Sequence, residues 1–203
     1  MLKKIGKLTT IKKKTSDPKV PPGQYATEKF PVLTFGNSQT IDTKDWSLEI
    51  SGLVQNQLTL DWNQFTDIEK ITVNSPFHCV TQWSRMENKW EGVSFKKLVQ
   101  LAKPKPEAKY VMIHCYGEYT TNLSVDILID TDVLLAYRHD DAPLPAEHGG
   151  PVRLVVPKLY GWKSAKWIKG LEFLSENSPG FWEKRGYHMD GDPWKEQRFT
   201  EDD

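Results

Sequence analysis

Residues 148–168 read HGGPVRLVVPKLYGWKSAKWI. Prolines at 151 and 157 bracket an apolar run carrying Arg153, which predicts a short strand. Lys158, Lys163 and Lys166 then gather around a Tyr160–Gly161 turn. This pattern suits an oxyanion, because a guanidinium grips phosphate as a fork and backbone amides near Ser164 and Ala165 can donate to it. A solvated basic face would look the same, and the residues alone leave both readings open.

Upstream, residues 75–94 read SPFHCVTQWSRMENKWEGVS and place Cys79 between a histidine and a tryptophan-rich segment. Cys79 is a buried filler, half of a disulfide with Cys115, or a ligand. The first fourteen residues hold six lysines but no apolar run of signal-peptide length and no twin arginine. That implies a cytoplasmic location, where a reducing environment disfavours the disulfide. A cysteine hydrolase would need a histidine partner among His78, His114, His139, His148 and His188, and the sequence specifies none of them. Glycine and cysteine spacings for a P-loop, a dinucleotide fold or a zinc ribbon are missing.

The 203 residues, 38% of them hydrophobic, suit one buried core. Basic and acidic residues balance at 27 each, so global charge points to neither nucleic acid nor an anionic membrane. No stretch has the length of apolar sequence that a membrane span needs. Residues 1–22 read as a flexible basic leader, solvated rather than a binding arm, and residues 23–203 as one domain.

Within that domain, alternation through Trp46, Leu48 and Ile50 predicts a strand, a turn at Ser51–Gly52 and a second strand. A short helix starts near Leu60, and Lys70–Val73 is a strand leading to the Cys79 loop. Phe95, Leu98, Val99 and Leu101 recur at helical spacing, with Pro104 as the stop. Tyr110–Cys115 and the WIKGLEFL run are strands, and residues 121–141 hold strands or short helices. The tail from Glu176 carries two tryptophans, two phenylalanines and a tyrosine, too aromatic a load for disorder, and is expected to wrap back over the domain. The fold class is α+β, β-rich, with mixed sheets and short helices.

Residues 77–84 (FHCVTQWS), 89–99 (KWEGVSFKKLV) and 148–168 together resemble the molybdopterin-binding domain of the sulfite oxidase family. The likeness is to its short bacterial members, related to the catalytic subunit of a periplasmic methionine-sulfoxide reductase. It runs from Pro21 to Phe199 and includes PPGQY, FPVLTFG and GYHMDGDPWKEQRF. The resemblance implies that Cys79 is the thiolate ligand of molybdenum, a soft donor suited to a sulfur-ligated metal. It also implies pterin contacts at His148, Arg153, Ser164, Ala165 and Lys166, at Cys115, and more loosely at Leu33, Thr34 and His78.

The chain departs from the sulfite oxidases proper, which surround the metal with several arginines. Here Gln82 and Trp83 follow the cysteine, with only Arg85 nearby, and these three are the candidate substrate residues. Trp83, Trp90 and Trp162 are candidates for a substrate funnel or for ordinary core. The haem and dimerisation domains of the full-length enzymes are missing from the chain, so the expected partners are a small substrate and a separate electron donor or acceptor, and a monomer is expected. The implied activity is two-electron oxygen-atom transfer on sulfite or a sulfoxide. A molybdopterin-binding module without turnover is the alternative, ahead of a cysteine hydrolase.

Overall fold

The computed structural model describes residues 18–202. Most of the basic leader, residues 1–17, lies outside the described residues. Packing begins early: Val20 is 5% exposed, three positions ahead of Gly23.

Two sheets organise the chain. The first contains β1 (Tyr25–Ala26), β4 (Lys70–His78), β5 (Trp83–Ser94), β8 (Leu134–His139), β9 (Ala142–Pro143) and β10 (Arg153–Val155). The second runs β3 (Leu58–Asp61), β2 (Ser47–Gly52), β11 (Ile168–Leu174), β6 (Tyr110–Cys115) and β7 (Thr120–Ser124). Three short helices complete it: α1 (Trp62–Thr66), α2 (Phe95–Ala102) and α3 (Val125–Leu128). The expected mixed, β-rich architecture is present.

Local chemistry fixes the elements that matter for the site. At and just before β2 the alternation expected at Trp46, Leu48 and Ile50 buries all three, and the Trp46 indole donates to the Ile168 carbonyl at 2.8 Å. Asp61 caps α1 through a reciprocal capping box with Gln64. Ser94 caps α2 by accepting from the Lys97 amide, and the helix stops at Lys103 in the left-handed region, just before Pro104. Phe95, Leu98 and Ala102 face inward from it.

Between the sheets lies a large, mainly aliphatic core that includes Leu48, Ile50, Ile113, Leu154, Ile168 and Leu171. A second, smaller cluster carries the aromatic Phe77, Trp83 and Trp90 beside Cys79, on a base of Val73, Leu134, Ala136, Leu144 and Val155. Two segments remote in sequence converge there: the hairpin β4–β5 and the turn after β10. The Gly161 amide donates to the His78 carbonyl at 2.7 Å, joining them. A Cβ on Gly161 would lie 2.5 Å from the Phe77 ring, so this close approach requires glycine.

One expectation is revised. The segment read as a long Cys79 loop is mostly strand, since β4 continues to His78 and β5 runs twelve residues from Trp83. Only Cys79–Gln82 turns. The aromatic tail does return to the domain: the Phe181 amide donates to the Thr120 carbonyl at 2.8 Å, and Tyr187 bridges to Phe199. Among the described residues, no helix is long and apolar enough to cross a membrane.

Candidate active site

The turn between β4 and β5 is held by main-chain bonds. The Cys79 amide donates to the Trp83 carbonyl (2.8 Å), and the Gln82 amide donates to the Cys79 carbonyl (3.0 Å). Gln82 closes the turn at φ 74°, a left-handed conformation that few side chains adopt without strain. From outside, the Gln24 side chain donates to the Cys79 carbonyl at 3.2 Å, and the Tyr25 amide donates to the Gln82 carbonyl at 2.9 Å. The consequence is a fixed sulfur.

That sulfur belongs to a residue lining a cavity of about 260 Å³. Cys79, Thr81 and Trp83 come from the hairpin, and His148, Arg153, Ser164, Ala165 and Lys166 from the segment around β10. Leu33 and Thr34 lie at its edge, with Phe30, Phe35, Tyr119, Trp162, Phe181, Trp182 and Tyr187 as aromatic wall. The structure thus brings together Cys79, Trp83, Leu33, Thr34 and the whole 148–166 group. His78, Gln82, Arg85 and Cys115 are not among the lining residues.

Each of those four has another engagement. His78 is buried, and its Nδ1 lies 2.8 Å from the Ser84 hydroxyl. Gln82 is exposed and shapes the turn. Arg85 donates to Asn88 Oδ1 (3.0 Å), His139 Nε2 (3.0 Å) and Asp140 Oδ2 (2.5 Å), a complete polar network of its own. Cys115 is 1% exposed within the aliphatic core.

The four-cation oxyanion pattern is also revised. Lys158 pairs at the surface with Asp130 at 2.7 Å. Lys163 is fully buried against Glu183 at 2.6 Å and donates to the Asn122 carbonyl at 3.0 Å. Arg153 and Lys166 remain at the cavity. Arg153 is 1% exposed, over the faces of Phe77 (5.0 Å), Trp90 (5.5 Å) and Phe30 (5.9 Å), and it donates to the His148 and Ser164 carbonyls at 2.9 and 2.8 Å. It therefore ties the two arms of this segment together from below. The Ser164 hydroxyl accepts from the Val156 amide at 2.9 Å, fixing the turn further.

Electrostatics follow from this packing. Burial, then the positive charges of Arg153 and Lys166, lowers the His148 pKa to about 4, so its ring is neutral at pH 7 and stacks on Phe30 at 4.5 Å. Burial and the Arg153 charge bring Lys166 down to about 8. Burial raises the Cys79 thiol, opposed by the Thr81 side chain, the Thr81 amide, the Lys166 charge and the Val80 amide. The Thr81 hydroxyl donates to Cys79 Sγ at 3.2 Å.

The remaining histidines serve the fold. His114 pairs with Glu172 at 2.9 Å, and His139 stacks on Trp90 at 4.1 Å beneath the site. His188 accepts from the Asp190 amide at 2.9 Å, fixing a turn, and the described residues contain no group of three or more His, Cys, Asp or Glu suited to a metal. Trp83 and Trp162 line the cavity, whereas Trp90 is buried under it.

The comparisons decide the family. The model for the oxidoreductase molybdopterin binding domain matches residues 35–182. The chain belongs to this molybdopterin-binding oxidoreductase family. It is 45% identical over 185 residues, 91% of its length and 93% of the relative's, to the uncharacterized oxidoreductase YuiH of Bacillus subtilis strain 168. It is 31% identical over 180 residues to the protein-methionine-sulfoxide reductase catalytic subunit MsrP of Campylobacter jejuni, covering 79% of this chain and 59% of that protein. The fold resembles the sulfane dehydrogenase SoxCD of Paracoccus pantotrophus, with a TM-score of 0.64 and 23% identity over 68% of this chain and 40% of that one. The sulfite oxidase-type domain, the oxidoreductase class and the molybdopterin cofactor are thereby established.

The residues present fit that cofactor. The cavity offers one thiol and a buried Trp83 indole N–H that meets no acceptor among the described residues. Arg153 and Lys166 supply positive charge for an anionic group. Sequence reasoning missed much of the aromatic wall. Its signal was the aromatic richness of residues 181–199, which announced packing without a location.

Proposed function

We propose that the protein catalyses two-electron oxygen-atom transfer on a small oxo-substrate of the sulfoxide type, exchanging electrons with a separate protein or carrier. The carrying observation is the Cys79 sulfur fixed in an aromatic-walled cavity that Arg85 does not line. With Arg153 and Lys166 assigned to the cofactor, the rest of the wall is aromatic and suits an uncharged substrate with apolar substituents better than a sulfite dianion.

In this reading the molybdenum cofactor, when bound, supplies the redox couple and the oxygen-transfer chemistry. Cys79 holds it through sulfur, Lys166, Arg153 and neutral His148 seat its pterin and phosphate, and the Trp83 N–H hydrogen-bonds a polar group in the cavity. Trp162, Trp182 and Tyr187 seat the substrate and exclude water.

Metal and pterin analysis of protein made in a cofactor-competent host tests the proposal, followed by a dye-coupled comparison of sulfite with alkyl and aryl sulfoxides. Molybdenum with turnover of a sulfoxide is expected. Preference for sulfite overturns the substrate assignment, and bound pterin without any turnover favours a binding module instead.

A further inference from the structure

The turn that presents Cys79 also carries a donor aimed at its sulfur. We propose that Thr81 is a positioning residue whose hydroxyl hydrogen bond to Cys79 Sγ tunes the reduction potential of the metal that this sulfur ligates. This rests on the molybdenum reading of the site.

Threonine hydroxyls in turns ordinarily bond to main-chain groups one or two residues away. Here the acceptor is Sγ itself, at 3.2 Å. One hydroxyl donor is therefore aimed at the sulfur, and the Lys166 charge acts on it as well. The aim is fixed because the turn is clamped by Gln24, by the Trp83 carbonyl and by the Gln82 amide. The Thr81 residue is exposed, so no core packing explains its identity.

A hydrogen bond to a ligating thiolate draws electron density from sulfur. It weakens donation to the metal and favours the reduced state, as with hydrogen bonds to other metal-bound sulfurs. Removing the hydroxyl should leave the metal more electron-rich and harder to reduce.

The test uses Thr81→Val, which keeps the shape, and Thr81→Ser, which keeps the hydroxyl. In the holoprotein, with molybdenum content equal to the parent's, the valine variant should show a more negative potential and a shifted sulfur-to-metal absorption band. The serine variant should restore both. Identical potentials and spectra in all three proteins overturn the proposal.

A cofactor-free arm separates this idea from the metal reading. Alkylation of Cys79 by iodoacetamide at fixed neutral pH should slow by about tenfold in the valine variant and recover with serine, as expected for losing one charge-assisted hydrogen bond. Unchanged alkylation overturns the donor role whether or not metal binds. Slowed alkylation in a protein that never acquires molybdenum overturns the metal reading and with it the tuning role, leaving a hydrogen bond to a reactive thiol. Thermal unfolding of the variants should match the parent, and a large drop would recast Thr81 as structural.

Discussion

Cys79 and Cys115 are both buried, yet they occupy regions built on opposite lines. Cys115 sits in the aliphatic core among close-packed side chains, and burial, opposed among the described residues only by the Lys169 charge and by no hydrogen-bond donor, drives its thiol far above the ordinary range. Cys79 sits in the aromatic cluster beside a cavity, with donors from Thr81 and Val80 and a nearby lysine opposing that burial. The aliphatic region is chemically silent. In the aromatic region polar atoms remain without partners among the described residues, including the Trp83 and Trp90 indole N–H groups and the Ser75 hydroxyl. Burial makes a thiol inert, whereas burial with convergent donors prepares it for a ligand.

The largest effect should separate the two thiols directly. Cys79→Ser is expected to reduce molybdenum content to background and abolish dye-coupled turnover, while Cys115→Ser leaves the metal in place. Equal metal retention in both variants would erase the contrast.

Next comes the tail that walls the aromatic side. Glu183 accepts from Lys163, the Trp162 indole and the Thr121 hydroxyl, all of them buried. Glu183→Leu leaves the Lys163 ammonium uncompensated and should destabilise the fold by about 3–5 kcal/mol in urea titrations. The double variant Lys163→Met with Glu183→Leu should recover most of that loss.

Acid should weaken the aromatic side first. Burial lowers His78, His139 and His148 to about 4, whereas unfolded histidine titrates near 6.5. Between those values the unfolded chain binds more protons than the folded one, so stability falls as pH drops from 6.5 towards 4. Melting temperatures across that window, with His148→Gln as a control that flattens the slope, check the sign. The smallest effect belongs to the aliphatic side: Cys115→Ala should cost about 1 kcal/mol by calorimetry and leave turnover unchanged.

Periodicity made the aliphatic region readable. The alternation of β2 and the helical spacing of α2 placed Leu48, Ile50, Phe95 and Leu98 inside, where they are found. Strand β5 escaped because WSRMENKWEGVS carries polar residues on both faces: Arg85, Asn88 and Glu91 join networks with His139, Asp140 and Arg138 that no local pattern displays. In the site, the 148–168 segment was legible as a unit, yet it did not reveal that Lys163 turns inward to Glu183. Pairing over twenty residues of chain leaves no periodic trace. The same limit hid Thr81, whose role depends on one oxygen-to-sulfur distance.

The cavity wall joins segments about 150 residues apart, for Phe35 packs against Phe181 at 4.9 Å and against Trp182 at 5.8 Å. During synthesis the hairpin bearing Cys79 emerges long before residues 181–187 exist to cover it. A nascent chain therefore exposes its thiol and aromatic floor without the enclosure. The cavity is therefore complete only once Phe181, Trp182 and Tyr187 have folded back over the hairpin.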